Sequence, residues 1–330
     1  MDPARALRDI AFELERAGEP TYRVRAFRQA AAVVDRLPAE ELESRVRAGT
    51  LQALKGIGKA TAGVIEDAWN DRVPAYAAKI GEADLPDGGP LRAALRGDCH
   101  THSDWSDGGS PILEMAETGR ALGHEWLVLT DHSPRLTVAH GLSAERLRSQ
   151  MDEVARVNEA LAPFRLLHGI EVDILLDGGL DQTEALLSRL DFVVASVHSK
   201  LRMPSREMTP RLLEAVANPH VRVLGHCTGR LVRGRSRPES AFDAEKVFTA
   251  CREHGVAVEI NSRPERLDPP MRLLRLAAEL GCEFAVDSDA HAPGQLDWLA
   301  HGCARAQRAG LGADRIINTR TADDLLAGRS

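Results

Sequence analysis

The sequence predicts an α/β fold in which a closed or nearly closed parallel barrel follows a small all-α domain. Seven strand-like runs after residue 97 mostly alternate with helix-like runs, which is typical of a parallel sheet with helical crossovers. The first 80 residues have helical periodicity almost throughout. For a chain of 330 residues we therefore expect a helical domain over 1–80, a linker over 81–96 and a barrel over 97–330.

Turn-forming residues separate the predicted N-terminal helices. The segments ALRDIAFELERAG, TYRVRAFRQAAAVVDRL and ELESRVRAG have apolar residues at helical spacing and end at Gly18, before Pro38 and at Gly49. In the next segment, LQALKGIGKATAGVIEDAWN, Gly56 and Gly58 interrupt two helical stretches. Glycine, proline and aspartate in GEADLPDGGPLRAALR then indicate a linker.

The strand candidates are apolar runs that end in polar residues. In chain order they are GDCHTH, EWLVLTD, LLHGIEVDI, DFVVASVH, VRVLGHC, VAVEINS and CEFAVDSD. Segments such as SAERLRSQMDEVARVNEAL and DAEKVFTACREHG separate most of them and have helical periodicity. In a barrel of this kind the carboxyl ends of the strands meet on one face, where active sites lie.

The composition is that of a soluble globular protein, which we expect in the cytoplasm. Hydrophobic residues make up 43% and charged residues 28%, and no apolar run approaches the ~20 residues of a membrane span. The acidic, amphipathic N-terminus does not fit a signal peptide, and five cysteines without a CxxC pair do not fit a disulfide framework. The net charge of -7 restricts any nucleic-acid binding to local basic patches.

Side chains that bind metals stand at successive strand ends. His100 and His102 are two residues apart on the first strand and therefore point to the same face. With the later strand ends and the first loop they give nine candidate ligands: His100, His102, Asp107, His132, Glu171, His198, His226, Asp289 and His291. Imidazole and carboxylate without thiolate suit zinc, manganese or iron. Nine ligands exceed the need of one ion, so we expect two or three divalent ions that share a bridging carboxylate, with Asp104 and Asp131 as candidates for orienting the ligands.

Arginines in the predicted loops favour a phosphate substrate. Arg230, Arg263 and Arg266 directly follow ligand-bearing strands, so we expect them to contact phosphate. Clustered metal ions generate hydroxide from water near neutral pH and bind the oxygens of a phosphate under attack. The predicted reaction is therefore hydrolysis of a phosphate ester, with Asp131 beside these arginines as the candidate catalytic residues. The other loop cations are each typical of a solvated surface charge: Lys200, Arg202, Arg206, Arg233 and Arg235.

A family resemblance rests on seven motifs that occur in order over residues 97 to about 320. They are HTHSDWSDG, LTDHS, GIEVDIL, ASVHSK, GHCTGR, EINSRPERLD and DSDAH. With these motifs the chain resembles the PHP (polymerase and histidinol phosphatase) family, and within it the C-terminal domain of bacterial family X DNA polymerases. The resemblance implies a distorted (β/α)7 TIM-like barrel with a trinuclear metal site. It assigns one ion to His100, His102, Glu171 and Asp289, a second to Glu171, His198 and His226, and a third to Asp107, His132 and His291. Cys227 departs from the proline that is common in relatives, but it replaces no ligand.

The N-terminal region resembles the small helical domain that opens the same polymerases. The segments YRVRAFRQAA and LKGIGKATAGVI carry this likeness, and the second is a helix-hairpin-helix element. Gly56 and Gly58 would let the backbone approach a DNA phosphate, which N–H groups at the start of the next helix can bind. The basic residues that would supply charge are Arg23, Arg25, Arg28 and Lys59.

Two departures from the polymerase family restrict the expected activity. The deoxyribose-phosphate lyase of the family uses a lysine where this chain has Val64, so we expect no lyase activity. Only about sixteen residues separate the two regions, far fewer than the ~50 that a further small domain needs, so the palm and fingers are missing and we expect no polymerase.

Three functions are compatible with these observations. The first is a phosphoesterase acting on DNA 3' ends, either a 3'-5' exonuclease or a 3'-phosphatase, with DNA held by residues 1–80. The second is a phosphomonoesterase for a small metabolite of the histidinol-phosphate type. The third is a non-catalytic DNA-binding module, which the nine-ligand set disfavours because structural metal sites rarely need an open multinuclear cluster.

Overall fold

The computed structural model describes residues 1–81 and 83–327 and divides the chain into two compact units, Met1–Asp84 and Leu85–Ser330. Residue 82, within the expected linker, and residues 328–330, at the end of the expected barrel domain, lie outside the described residues. The exact domain bounds stay a prediction.

The first unit is helical, as expected. Its helices are α1 (Pro3–Arg16), α2 (Thr21–Asp35), α3 (Ala39–Ala48) and α4 (Lys59–Trp69). They bury one apolar core to which α1 contributes Leu7 and Leu14 and α4 contributes Ile65. Gly49 ends α3 with a φ of 65°, a left-handed conformation that glycine adopts without steric cost.

The turn before α4 is the hairpin that the sequence indicates. Gly56 has a φ of 97°, and a Cβ atom there would lie 3.3 Å from Cγ2 of Val33. Gly58 precedes the first residue of α4, and its N–H donates to Oγ1 of Thr61 at 2.9 Å. Because neither glycine has a side chain, the backbone before this helix is not covered by a Cβ atom at either position.

The second unit is a parallel barrel. Its strands within the described residues are β1 (Gly97–Thr101), β2 (Trp126–Leu129), β3 (Arg165–Asp173), β4 (Phe192–Ser196), β5 (Val223–Leu224), β6 (Ala257–Asn261) and β7 (Phe284–Asp287). All seven pair in parallel in chain order, from β1 to β7. They form a nearly closed barrel, which confirms the predicted α/β fold class.

Side chains and loop backbone close most of the gap between β1 and β7. Asn318 donates to the carbonyl oxygens of Gly97 at 3.1 Å and Val286 at 2.9 Å, so one amide joins both edge strands. At the carboxyl ends, His102 N–H donates to Ala290 O at 2.8 Å. The two edges are therefore linked at both ends of the barrel.

Helices cover the outside of the sheet. They are α5 (Gly89–Ala94), α6 (Ile112–Ala121), α7 (Ala144–Leu161), α8 (Glu184–Leu187), α9 (Ser205–Ala217), α10 (Ala244–Glu253), α11 (Met271–Glu279), α12 (Leu299–Arg308) and α13 (Ala322–Ala327). The α5 helix lies in the stretch 81–96, which was expected to be a linker. It packs on the barrel unit, because Leu91 is buried in the core of that unit. None of the helices in the described part of the chain is both long and apolar enough to cross a membrane.

A buried arginine on α9 holds two loops at the carboxyl ends of the strands. Arg211 is 1% exposed and donates to the carbonyl oxygens of Leu175 at 2.8 Å and Ser199 at 2.9 Å. It also donates to the carbonyl oxygen of Ile174. The loops after β3 and β4 are thus fixed by their backbones from the helical layer outside them.

Candidate metal centre

Glu171 lies at the centre of the predicted ligands. It belongs to β3, which extends beyond the end of its neighbour β2, and a parallel bridge joins it to His132 in the following loop. Its side chain is 1% exposed. The carboxylate is therefore buried where the strand ends converge.

One oxygen of Glu171 faces three imidazoles. Oε2 lies 3.3 Å from Nε2 of His100, 3.6 Å from Nε2 of His102 and 2.9 Å from Nδ1 of His132. His100 and His102 come from β1 and the residue after it, on the same face as expected for a spacing of two.

The other oxygen of Glu171 faces two further imidazoles. Oε1 lies 3.2 Å from Nε2 of His198 and 2.8 Å from Nε2 of His226. His198 follows β4 and His226 follows β5, which ends early because His226 has a φ of 20° and leaves the extended conformation. Two sets of imidazoles on the two oxygens of one carboxylate is the geometry that a bridging ligand requires.

Asp107 is the centre of a second group of predicted ligands, next to the group around Glu171. Its Oδ1 lies 3.5 Å from Nε2 of His132 and 3.3 Å from Nε2 of His291. The Asp107 side chain is 34% exposed, so this part of the cluster opens to solvent. A substrate can reach the cluster from this side.

Asp289 completes the predicted set. Its Oδ1 lies 3.5 Å from Nε2 of His102, and its Oδ2 accepts a hydrogen bond from Nδ2 of Asn261 at 3.1 Å. Nε of Arg266 lies 3.1 Å from Oδ2, and Nη1 of Arg263 lies 3.7 Å from Oδ1. Two guanidinium groups therefore neutralise a buried carboxylate that also faces an imidazole.

The ligand atoms group into three sets that share members. Within each set, one atom per residue lies within 4.8 Å of the others: His102, Asp107, His132 and His291; His100, His102 and Glu171; His132, Glu171 and His198. These sets overlap with the three implied by the family resemblance, but His102 and His132 each belong to two of them. The assignment of ligands to individual ions stays a prediction.

The surroundings keep the central carboxylates ionised. Burial would raise the pKa of Glu171, but the charges of the surrounding histidines, with His100 the largest contributor, hold it well below its usual range. Burial would likewise raise the pKa of Asp289, and Arg263 and Arg266 hold it well below its usual range. Ionised carboxylates are the form that binds cations.

The imidazoles differ in their electrostatic environment. Burial and the charges of His291 and His132 lower the pKa of His102 well below its usual range, which favours the neutral form that binds metals. Burial would also lower the pKa of His198, but Glu171 raises it to about 9. Glu171 therefore favours the protonated form of His198 where no cation is bound.

Unpaired buried nitrogens show that these residues fit divalent ions. Nε2 of His100, both ring nitrogens of His102 and both of His198 are buried without a hydrogen-bond partner among the described residues. Burying such groups unpaired costs about 1–3 kcal/mol each. Nitrogens that converge on carboxylates without hydrogen-bonding them are the donor set that zinc, manganese or iron binds.

Glu259, which was not among the predicted ligands, binds the imidazole of His100 and the backbone of His226. Its Oε1 lies 2.6 Å from Nδ1 of His100, and its other oxygen accepts hydrogen bonds from the N–H of His226 and from Nδ2 of Asn261. Glu259 is fully buried. The available signal was its place two residues before the end of β6, on the same strand face as Asn261.

The hydrogen bonds of Asp131 do not fit the catalytic role expected for it. Its oxygens accept hydrogen bonds from the N–H of Ser103 at 2.8 Å, from the hydroxyl groups of Ser103 and Ser106, and from Nε2 of Gln150 at 2.7 Å. These donors occupy the carboxylate, so Asp131 fixes the loop that carries Asp107. Asp104, the other candidate for an orienting role, is exposed.

The three candidate arginines divide into two kinds. Arg230 donates from Nε to the carbonyl oxygen of Arg266 at 3.1 Å and from Nη2 to that of Leu267. These two nitrogens therefore support the loop after β6 and do not face the cluster. Arg263 and Arg266 contact Asp289 directly. The phosphate contact expected for Arg263 and Arg266 stays a prediction. The one expected for Arg230 is corrected, because loop carbonyls engage its guanidinium.

Two of the arginines expected to bind DNA are engaged within the helical unit. Arg28 forms a two-pronged pair with Glu15, at 2.8 and 2.7 Å, and the Glu15 side chain is 2% exposed. Arg28 is therefore engaged by a buried carboxylate of its own unit, which does not fit the DNA contact expected for it. Arg23 pairs with Glu19 and donates to the hydroxyl of Tyr76 at 2.9 Å.

The hairpin retains exposed cations. Arg25 and Lys59 are exposed, and so is Lys55, which stands on the other side of the two glycines and was not among the expected contacts. The first N–H groups of α4 have no acceptor within the helix. An anion at this helix start would meet free donors and two lysines.

Comparisons with known proteins agree with the two units. The helix-hairpin-helix domain family matches residues 1–72, and the PHP domain family matches residues 98–263. The DNA polymerase/3'-5' exonuclease PolX of Bacillus subtilis (strain 168) is 38% identical over 233 residues, which are 71% of this chain and 40% of the polymerase. The chain thus spans less than half the length of that relative.

Shorter relatives match this chain along most of their own length. A probable phosphatase of Thermoanaerobacter sp. (strain X514) is 30% identical over 233 residues, 67% of this chain and 89% of the phosphatase. The histidinol phosphate phosphatase of Lactococcus lactis subsp. lactis Il1403, solved with zinc, L-histidinol and phosphate, covers 66% of this chain and 95% of its own, with a TM-score of 0.50 and 20% identity, and shares its fold. The predicted resemblance is confirmed: the chain belongs to the PHP domain family of phosphoester hydrolases.

Proposed function

We propose that this protein hydrolyses phosphate esters at DNA 3' ends, as a 3'-5' exonuclease or a 3'-phosphatase. The main support for this proposal is that one chain combines the Glu171-centred cluster with a helix-hairpin-helix unit. The similarity to a polymerase with 3'-5' exonuclease in its name supports the same substrate.

The nine clustered residues would hold two or three divalent ions. Bound zinc, manganese or iron ions lower the pKa of water and offset the charge of a phosphate. Glu171 would join the ions through its two oxygens, while Asp107 would bind at the side open to solvent.

One arginine would contact the phosphate, and a second would hold the neighbouring loop in place. Arg266 contacts Asp289 through Nε, and we assign its terminal amino groups to the substrate. Arg263 divides its donors between Glu265 and the carbonyl oxygen of Asp289, so it holds the Asp289 loop in place beside the phosphate.

The helical unit would hold the DNA backbone. The N–H groups at the start of α4, with the exposed Lys55 and Lys59, would offer a site for one phosphate. Arg25 would add a further charge. Because the chain has a net charge of -7, we expect this binding to depend steeply on salt.

A second candidate is a phosphomonoesterase for a small metabolite. It is supported by the probable phosphatase of Thermoanaerobacter sp. (strain X514), which matches this chain over 89% of its own length, and it gives the helical unit another role, such as dimerisation. A non-catalytic DNA-binding module, the third candidate, does not account for a buried cluster with one side open to solvent.

The test is digestion of a 5'-labelled single-stranded oligonucleotide that ends in either a 3'-hydroxyl or a 3'-phosphate, with manganese or zinc added. We expect a ladder of shorter products or loss of the terminal phosphate from the wild type, and neither from His100→Ala. The double variant Lys55→Gln/Lys59→Gln should slow the reaction on DNA but not on a chromogenic phosphomonoester. The matched control is Arg5→Gln/Arg36→Gln, which removes two exposed charges from the same unit.

The outcomes separate the candidates. Turnover of the chromogenic ester without any change in either oligonucleotide would favour the metabolite phosphatase. Binding of the oligonucleotide without turnover of any ester would favour the non-catalytic module.

A further inference from the structure

Two neighbouring loops at the carboxyl ends of β4 and β5 carry exposed cations beside the metal centre. We call Lys200, Arg202, Arg233 and Arg235 the basic rim. All four are exposed, and none of their side chains makes a hydrogen bond or ion pair with another residue of the described chain. Charges that the fold does not use are available to a ligand.

The charge of these loops is segregated from the rest of the chain. Residues 199–206, SKLRMPSR, hold three cations and no acid, and residues 227–238, CTGRLVRGRSRP, hold four arginines and no acid. The whole chain has 42 lysines and arginines against 49 aspartates and glutamates. Two acid-free stretches next to each other therefore create a local positive potential on an acidic protein.

The loop after β5 is built to present its tip. Leu231 and Arg237 pair through both backbone hydrogen bonds, at 2.9 and 3.0 Å, and Gly234 turns the chain between them with a φ of 67°. The N–H of Val232 donates to Glu265 O at 2.6 Å, which fixes the base of this hairpin to the loop after β6. The tip is thus held by backbone contacts rather than by its own side chains.

The arginines of this loop have two separate uses. Arg230 and Arg237 donate to backbone carbonyl oxygens, of Arg266 at 3.1 Å and of Gly229, and so stabilise the loop. Arg233 and Arg235 flank the turning glycine and are exposed. The second pair can therefore change without removing the contacts that shape the loop.

The two loops of the basic rim touch each other. A Cβ atom on Gly229 would lie 2.7 Å from Cδ2 of Leu201, so Leu201 packs directly on the loop after β5. Lys200, with a φ of 55°, and Arg202 flank this leucine. The four cations therefore belong to one continuous surface rather than to two separate loops.

This surface lies on one side of the cluster. The strands β4 and β5 lead to His198 and His226, the two imidazoles that face Oε1 of Glu171. Elsewhere around the barrel mouth, the loop after β2 has Arg135, whose charge is matched by Asp181 after β3 at 3.7 Å. The charges therefore favour a path for a polyanion that leaves the cluster across the loops after β4 and β5.

We propose that the basic rim binds the phosphodiester groups next to the scissile one, so that the natural substrate is a nucleic-acid strand of several nucleotides. The proposal rests on the proposed function at DNA ends and assigns the path of the strand beside the cluster. A small phosphomonoester has one phosphate, which the cluster itself holds, and would leave these four cations unused. A single strand has a phosphate at each nucleotide and would pair with them in succession.

The test compares two quadruple variants of the full chain. The rim variant is Lys200→Gln/Arg202→Gln/Arg233→Gln/Arg235→Gln. The control variant is Arg120→Gln/Arg148→Gln/Arg275→Gln/Arg308→Gln, which removes the same charge from four exposed arginines on the outer helices α6, α7, α11 and α12. Both are assayed on a single-stranded 12-nucleotide substrate and on a chromogenic phosphomonoester, with manganese or zinc present.

For the rim variant we expect KM on the oligonucleotide to rise tenfold or more, with kcat within a factor of two of wild type. Its turnover of the monoester should stay at the wild-type level, which also shows that the fold and cluster are intact. The dependence of log affinity on log salt should become shallower by about 0.7 for each phosphate of the single strand that the rim variant no longer binds. The control variant should change neither quantity beyond twofold.

Failure of this proposal can be told from failure of the proposed function. If the wild type shortens DNA and the rim variant behaves like the control variant, the rim is not a binding surface and the proposed function stands. If the wild type neither binds nor processes the oligonucleotide but hydrolyses the monoester, both proposals are overturned.

Discussion

Nδ1 of His100 lies 2.6 Å from Oε1 of Glu259, while Nε2 of the same ring lies 3.3 Å from Oε2 of Glu171. Burial alone would lower the pKa of His100, but Glu171 and Glu259 raise it well above its usual range. With one nitrogen donating to Glu259, the ring presents the other to the cluster in a fixed orientation. Such outer carboxylates fix the tautomer of a metal-binding histidine.

Replacing Glu259 with glutamine should weaken metal binding. Its amide can present an N–H to Nδ1 of His100 and so favour the tautomer with the wrong nitrogen protonated. We expect a roughly 10- to 100-fold loss of affinity for manganese or zinc. Competition with a chromogenic chelator measures this directly, without reference to turnover. The control is Glu279→Gln, an exposed glutamate on α11, and equal affinities in the two variants would contradict the positioning role.

Removing the metal should destabilise the barrel. The buried nitrogens of His100, His102 and His198 lack hydrogen-bond partners among the described residues, so metal ligation compensates a cost that the metal-free protein bears. We expect the thermal midpoint to fall on treatment with a chelator and to return with added manganese or zinc. The shift should be much smaller in Glu171→Gln, which loses the charge at the centre of the cluster. An unchanged midpoint in the wild type would contradict ligation by these residues.

Acid should destabilise the fold partly through His124. Burial lowers the pKa of His124 to about 3 from its usual value of 6.5, and neither ring nitrogen has a hydrogen-bond partner among the described residues. The unfolded chain takes up this proton near pH 6.5 and the folded chain only near pH 3, so stability is lost as pH falls between these values. By pH 5 the loss is on the order of 2 kcal/mol.

His124→Leu should flatten this part of the acid dependence, because leucine has a similar volume and does not titrate. Urea unfolding at pH 7 and pH 5 gives the comparison. His140→Asn, which changes an exposed histidine, is the matched control. A His124→Leu variant that loses as much stability as the wild type on acidification would assign the effect to other groups.

No covalent adduct should form with an abasic site. Val64 occupies the position of the family's lyase lysine and is 1% exposed, packed in the core of the helical unit. A valine has no amine to form a Schiff base with the sugar aldehyde. Borohydride trapping on an abasic-site oligonucleotide checks this, and a trapped adduct would show that another lysine of the chain has the activity.

Arg211 should contribute strongly to stability. Its guanidinium binds carbonyl oxygens of Leu175 and Ser199 and is buried, so Arg211→Met leaves several acceptors unpaired. We expect a loss of roughly 3 kcal/mol in the free energy of unfolding. Arg206→Met on the same helix removes an exposed arginine and should change little. Equal unfolding curves for the two variants would contradict the role of these hydrogen bonds.

The sequence predicted the barrel well because its signals are local. Each strand run is apolar and stops at residues such as His132 or His226, so strand order and the face that carries the cluster both follow from the chain. β5 is shorter than the run VRVLGHC, and His226 at the end of that run leaves the extended conformation with a φ of 20°, which composition does not reveal.

The errors concern partners far apart in sequence. Arg28 looks free within its own helix, but its partner Glu15 comes from α1. Glu259 shares a face with Asn261, yet only the closed sheet shows that it meets His100, 159 residues away. Likewise, whether Arg230 faces a substrate or a loop carbonyl depends on the path of the next loop.

Arg211 binds the loops after β3 and β4 through main-chain oxygens, and every amino acid supplies the same oxygen. Mutations at Leu176, Asp177, Lys200 or Arg202 can therefore accumulate without disturbing the anchor that positions them. Side chains in these loops can therefore be exchanged while the backbone that carries the cluster keeps its position. A combinatorial library at these four positions is accordingly where we expect new specificities to arise in a barrel that still folds.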